Sequence, residues 1–118
     1  MVPELVSGVP IVSTVLLLNG YDIDGTLTAG VVPQEPYIVI TGRGPDEDDA
    51  YVETLRQNAQ VFMRPASWPA TSEGKGEFKS VIISVMGVTH FWENDPIQVD
   101  IIRADTSAQV TLVPATPQ

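Results

Sequence analysis

The chain has no cysteine, one histidine and six basic residues among 118. Without cysteine there is no disulfide framework, no thiolate nucleophile and no thiolate metal site. The shortage of positive charge is sharper still, because no Lys or Arg precedes Arg43 and the formal net charge is −9. A surface of that sign repels phosphate backbones and anionic lipid, so neither nucleic acid nor a membrane surface is an expected partner. Long apolar runs are also missing. Val15-Leu16-Leu17-Leu18 is far too short to span a bilayer. The first residues carry Pro3, Glu4 and Pro10 and no positive n-region, so no signal peptide is expected. The expected location is cytoplasmic, or within a virion if the chain comes from a phage.

What the chain does have is proline and glycine, ten and nine residues respectively. They divide it into short segments and favour a mainly β, single-domain β-sandwich or barrel of six to eight short strands. An extended arm spans residues 1–10, the β domain 11–113 and a tail 114–118. Within the domain, strands are expected over Ile11–Leu18, Tyr21–Val32, Tyr37–Thr41, Val61–Arg64 and Ala108–Val113. Asn19-Gly20 reads as a hairpin turn between the first two. One short helix is expected over Asp46–Gln57, with Pro45 at its start and four acids in its first turn. Pro65–Gly76 reads as a loop, and Trp68 within it either folds back on the core or anchors a partner.

The strongest strand signal lies in Ser80–Arg103. Val81, Ile82, Ile83, Val85 and Val88 are apolar and β-branched, and Phe91-Trp92 closes the run. Glu93-Asn94-Asp95-Pro96 has turn chemistry, and Ile97, Val99 and Ile101 then alternate with polar residues. The segment reads as a β-hairpin at the centre of the core.

The sharpest chemical motif is Asp22-Ile23-Asp24-Gly25-Thr26-Leu27-Thr28. It resembles the first motif of haloacid-dehalogenase-type phosphatases, and Val39-Ile40-Thr41-Gly42-Arg43 is similar to their second. The resemblance implies that Asp22 is a nucleophile, Asp24 an acid/base and Thr41 a phosphate ligand, with Mg²⁺ between carboxylates. The family's lysine would be Lys75 or Lys79. Against it, Asn19-Gly20-Tyr21 separates the motif from the apolar run. Residues 22–41 also contain Gly25, Gly30, Pro33 and Pro36 where a crossover helix would be needed. A turn rich in Asp and Gly is the competing account.

Other constellations are weaker. Asp22, Asp24 and Thr26 fail as an EF-hand loop, because Gly25 stands at the fourth position and not the sixth. Asp46 to Asp49 suits a solvated helix start, His90 has no nucleophile motif beside it, and Gly42-Arg43-Gly44 lacks a P-loop lysine.

The composition as a whole is similar in type to small all-β bacteriophage virion proteins, of the capsid decoration (cement) or head–tail accessory kind. That resemblance implies a non-enzymatic assembly protein without cofactor or metal. Its partners would be protein subunits: a homo-oligomer, or a capsid or tail protein. Contacts would run through Val2, Pro3, Leu5, Trp68, Pro69 and Pro114. The alternatives are a β-sandwich ligand- or carbohydrate-binding module and the phosphatase that the Asp22–Thr28 motif implies.

Overall fold

A computed structural model describes residues 16–115. It corrects the expected β-sandwich or barrel. Five short strands form one all-parallel sheet, with helices packed on it. In chain order the elements are β1 (Asn19–Tyr21), β2 (Tyr37–Thr41), α1 (Ala50–Arg56), β3 (Val61–Met63), α2 (Ser72–Met86), β4 (His90–Glu93), α3 (Pro96–Asp105) and β5 (Gln109–Leu112). The spatial order is β3-β2-β1-β4-β5. Among the described residues no helix is long and apolar enough to cross a membrane.

The central hairpin does not exist. The run read as its first strand is divided between the C-terminal part of α2, residues 80–86, and β4. Thr71 caps this helix by accepting from Gly74 N, and Gly87, at φ 74°, ends it. Phe78, Lys79 and Ile83 are buried on one helical face, while Val81 and Val85 are exposed. Of the β-branched residues only Ile83 lies on the buried face, and caps and burial outweigh their strand propensity. The alternating Ile97, Val99 and Ile101 belong to α3. Asp95 caps it by accepting from Ile97 N, Pro96 occupies its first turn, and its buried face is Gln98, Val99 and Ile102. The 3.6-residue period therefore wins over the apparent alternation.

Asn19-Gly20 is part of β1 and not a turn, and its neighbours are parallel. Glycine is required there by a close approach. A Cβ on Gly20 would lie 2.8 Å from Phe91 Cδ1 and 3.2 Å from Val88 Cγ1. Beyond Tyr21, which ends β1, the expected strand Tyr21–Val32 is instead a kinked, hydrogen-bonded turn over Ile23–Leu27, non-helical at Asp24 and Gly25, that continues through residues 28–30 into a loop leading to β2. The crossover that seemed to need a helix is made by this turn and the residues up to Pro36. The expected helix Asp46–Gln57 splits into a 3₁₀ turn (Pro45–Glu47) and α1, which Asp49 caps through Val52 N. The expected strands Tyr37–Thr41, Val61–Arg64 and Ala108–Val113 correspond to β2, β3 and β5. Residues 65–71 are irregular, but the expected loop ends where α2 begins. The strand expected over Ile11–Leu18 and the arm 1–10 fall mostly outside the described residues, and residues 16–18 are not strand.

The pleat of the sheet divides the core. Ile38, Ile40, Phe91 and Val110 face α2 and α3, where they pack with Phe78, Ile83, Val99 and Ile102. Val39 turns to the other face and packs with Ile23 and Val52. There Tyr21 stacks on Trp92, with ring centroids 4.7 Å apart. The chain runs from β1 outward to β3 on one side, then returns to place β4 on the other side of β1. In such sheets the crevice at the reversal, beyond the carboxyl ends of the strands, is where ligands bind. Asp22 follows β1 at this crevice, and Glu93 ends β4.

Candidate functional site

Asp22 leaves β1 with its backbone N–H bonded to Trp92 O at 3.1 Å. The chain then enters the kinked turn Ile23–Leu27. Gly25 makes this possible at φ 82°, and its missing side chain leaves room for Asn94, which a Cβ would meet at 2.2 Å. Asp24, two residues on, lines the same cleft as Asp22. The Asp-x-Asp-Gly spacing is thus a means of presenting two carboxylates from one strand end.

The ion cluster beneath is completed from elsewhere. Lys79 on α2 donates to Asp22 Oδ1 at 2.8 Å and to Glu93 Oε1 at 2.6 Å. All three side chains are buried. Glu93 Oε2 accepts from the backbone N–H groups of Asn94 and Asp95, each at 3.1 Å. Burial opposes the Lys79 ammonium, but Asp22 and Glu93 together hold its pKa above the ordinary value. Burial also pushes the Glu93 carboxyl up to about 7, reinforced by the Asp22 charge and opposed by Lys79.

The cleft above this cluster has a volume of about 160 Å³. Arg43, beyond the end of β2, holds Asp24 in a two-pronged ion pair at 2.8 and 2.9 Å. It also reaches Asp49 Oδ2 at 3.2 Å. The hydrogen bonds from Arg43 keep the Asp24 carboxyl below the usual carboxylate range, against its partial burial. Thr41 Oγ1 accepts from Arg43 N at 3.1 Å. Lys75 lies across Gly42, where a Cβ would meet the lysine stem at 2.6 Å, so Gly42 gives this second cation its place on the rim. Asp95 accepts from Ser72 Oγ at 2.8 Å and from Gln98 Nε2 at 3.0 Å, tying α2 to α3 beside the cleft.

The donor set for a divalent cation can be tested here. Among the described residues no group of three His, Cys, Asp or Glu is placed to hold an ion. The oxygens come instead from mixed sources. One terminal atom of the Asn94 carboxamide lies 2.8 Å from Asp24 O, 3.0 Å from Asp22 Oδ2 and 3.2 Å from Glu93 Oε2. Surrounded by three acceptors, that atom is the amide nitrogen, which donates to all of them. Asp22 and Asp24 are the residues whose oxygens would hold Mg²⁺, and Asn94 is their hydrogen-bond donor in its place.

The structure brings together Asp22, Asp24, Lys75 and Lys79, which the resemblance named, and adds Arg43; Thr41, expected as a phosphate ligand, is buried and does not line the cleft. Of the two lysines, it is Lys79 that reaches Asp22. Asp46 to Asp49 do not enter the ion cluster. Asp49 caps α1 and pairs with Arg43, and Asp48 pairs with Arg56 at 2.8 Å. His90 begins β4, at the opposite end of that strand from Glu93, and its Nδ1 is 3.0 Å from Thr89 Oγ1.

The residues expected to carry assembly contacts fall elsewhere. Val2, Pro3 and Leu5 lie outside the described residues. Trp68 is half-buried and packs edge-on against Phe78, with ring centroids 5.9 Å apart. Arg64 holds its loop by donating to Gly42 O and Trp68 O. Pro69 and Pro114 are exposed.

Glu93 was missed as a site residue because it reads as part of a turn. A signal for it exists. Phe91-Trp92-Glu93 repeats the pattern of Tyr21-Asp22, an aromatic strand end running into an acid.

Compared with family models, with curated proteins and with solved structures, the chain matches none. The functional reading therefore rests on the site itself.

Proposed function

We propose that this chain is a phosphohydrolase that acts on phosphate monoesters through a phospho-Asp22 intermediate, as the resemblance of Asp22–Thr28 to haloacid-dehalogenase-type phosphatases implies. The observation that carries the reading is the convergence of Asp22, Lys79 and Glu93 at the β1/β4 crevice, with Asp24 turned into the same cleft. Sequence position alone did not require any of these to meet.

In this reading an Asp22 carboxylate oxygen attacks phosphorus, a P–O bond forms and the bond to the leaving oxygen breaks. Asp24, once protonated and released from Arg43, gives its proton to that oxygen. It then takes a proton from the water that attacks the acyl phosphate, which returns Asp22 and releases inorganic phosphate. Lys79 orients Asp22 and offsets its charge as the phosphoryl group approaches. Arg43 and Lys75 supply positive charge at the rim, within an otherwise acidic molecule. Mg²⁺, when bound, would neutralise phosphoryl charge beside Asp22.

The expectation of a non-enzymatic assembly protein drew on a β-rich framework, and so did the carbohydrate-binding alternative. That framework is corrected above, and the phosphohydrolase reading has the site geometry in its support. The experiment is hydrolysis of p-nitrophenyl phosphate and a panel of phosphate monoesters with Mg²⁺. Wild type should turn over, and Asp22→Asn should lose at least about a thousandfold in kcat while keeping its fold. Turnover retained in Asp22→Asn, or no turnover of any ester by wild type, overturns the reading.

A further inference from the structure

Arg43 is engaged by two carboxylates at once. Its Nε and Nη2 donate to the two Asp24 oxygens at 2.9 and 2.8 Å. Its Nη1 donates to Asp49 Oδ1 and Oδ2 at 3.3 and 3.2 Å. The guanidinium carbon also lies 5.8 Å from the centre of the Tyr51 ring. Asp49 caps α1 and Tyr51 belongs to that helix, so α1 fixes the arginine from one side.

The two sides of the Asp24 pair are unequally held. The Arg43 side chain is 14% exposed and that of Asp24 61%. The Asp24 carboxylate accepts no other hydrogen bond among the described residues, whereas Asp49 also accepts from Val52 N. Of the three groups, Asp24 is therefore the one able to leave. An ion pair so open to water contributes little, and another anion can replace it. A phosphoryl dianion offers the guanidinium the same two-pronged contact and carries more charge. Lys75 lines the same cleft and makes no ion pair among the described residues, so its charge is available to that anion.

We propose that Arg43 is a latch on Asp24 that phosphate releases. In the ligand-free protein it binds both Asp24 oxygens, and the carboxylate so held cannot serve as acid or base. An arriving phosphoryl group takes the place of Asp24 on the guanidinium and frees that carboxylate for the leaving oxygen. Asp49 and Tyr51 keep the arginine in place during the exchange. The inference rests on the phosphohydrolase reading for its purpose, but not for its test.

The test is a double-mutant cycle on the full-length protein, with inorganic phosphate as the probe, at one fixed Mg²⁺ concentration, read by titration calorimetry. Asp24→Asn gives up the ion pair and should bind phosphate at least about fivefold more tightly than wild type. In an Arg43→Gln background the same replacement should change affinity by less than about twofold. Equal tightening in both backgrounds overturns the proposal, because it would reflect only the loss of a negative charge near the cleft. No tightening in either background, or no phosphate binding by any of the four proteins, overturns it as well. Should Arg43→Gln fail to fold, Arg43→Met keeps the unbranched stem and takes its place with the same expectations. Should neither fold, wild type against Asp24→Asn decides alone, and unchanged affinity overturns the latch. These readouts involve no turnover. Coupled phosphate binding without hydrolysis refutes only the phosphohydrolase reading, and hydrolysis without the coupling refutes only the latch.

Discussion

Lys79 and Asp22 stand 57 residues apart in the chain, yet Lys79 Nζ lies 2.8 Å from Asp22 Oδ1 in the interior. Neither group tolerates that environment alone. Removing the lysine leaves Asp22 and Glu93 buried side by side without a counter-charge, and breaking a buried pair in this way costs about 3–5 kcal/mol. Lys79→Met should therefore lower the unfolding free energy by that amount in denaturant titration, besides abolishing turnover. A variant as stable as wild type would show that the cluster is hydrated and not buried.

Glu93 makes the metal-free protein sensitive to pH. Its carboxyl is raised from an ordinary 4.5 to about 7, chiefly by burial. The folded state then holds the proton more tightly than the unfolded state does. The stability Glu93 contributes is full below pH 4.5 and is lost as pH rises through about 7. Asp24 and Asp95 have lowered values and act in the opposite sense, losing their contribution as pH falls below their ordinary 3.8, outside this window. In EDTA, the melting temperature of wild type minus that of Glu93→Gln should fall as pH is raised from 4.5 to 7. A difference that is constant or rises would be inconsistent with the burial of this carboxyl.

Gly20 tests the sheet. Its backbone lies against Phe91, which is fully buried, and a Cβ there would sit 2.8 Å from the ring. Gly20→Ala should cost about 1–3 kcal/mol through overpacking. In the hairpin turn suggested by the sequence, the same change would act through turn conformation and leave Phe91 uninvolved. A double-mutant cycle with Phe91→Leu separates the two, since coupling is expected only if the residues touch.

Trp68 tests the loop. Its ring packs on Phe78 and its Nε1 is buried without a hydrogen-bond partner among the described residues. Trp68→Ala should destabilise the domain by about 2 kcal/mol, somewhat under the cost of truncating a fully buried aromatic. An unchanged melting temperature would return Trp68 to the role of an exposed anchor.

The Asp22–Thr28 motif and the strand end at Thr41-Gly42-Arg43 were legible as candidates because short motifs need no knowledge of distant residues. The fold was not legible in the same way, and α2 shows why. Val81, Ile82, Ile83 and Val85 favour strands by local propensity, while the caps at Thr71 and Gly87 and the burial of Phe78 and Ile83 favour a helix. Propensity is worth a fraction of a kcal/mol per residue, and burial of a side chain several times more. With the run from Ser80 taken for strand, nothing chose between Lys75 and Lys79 or placed either beside Asp22.

What the sequence alone determined is local: the turn chemistry of Asp24-Gly25, a helix within Asp46–Gln57, the apolar strand of Tyr37–Thr41, and an acidic composition without cysteine. What only the tertiary structure decided is which charges meet. Parallel pairing of β1 with β4 brings Asp22 beside Glu93, and packing of α2 against that sheet delivers Lys79 between them. These are interactions across the chain, and they form only once burial has brought the elements together.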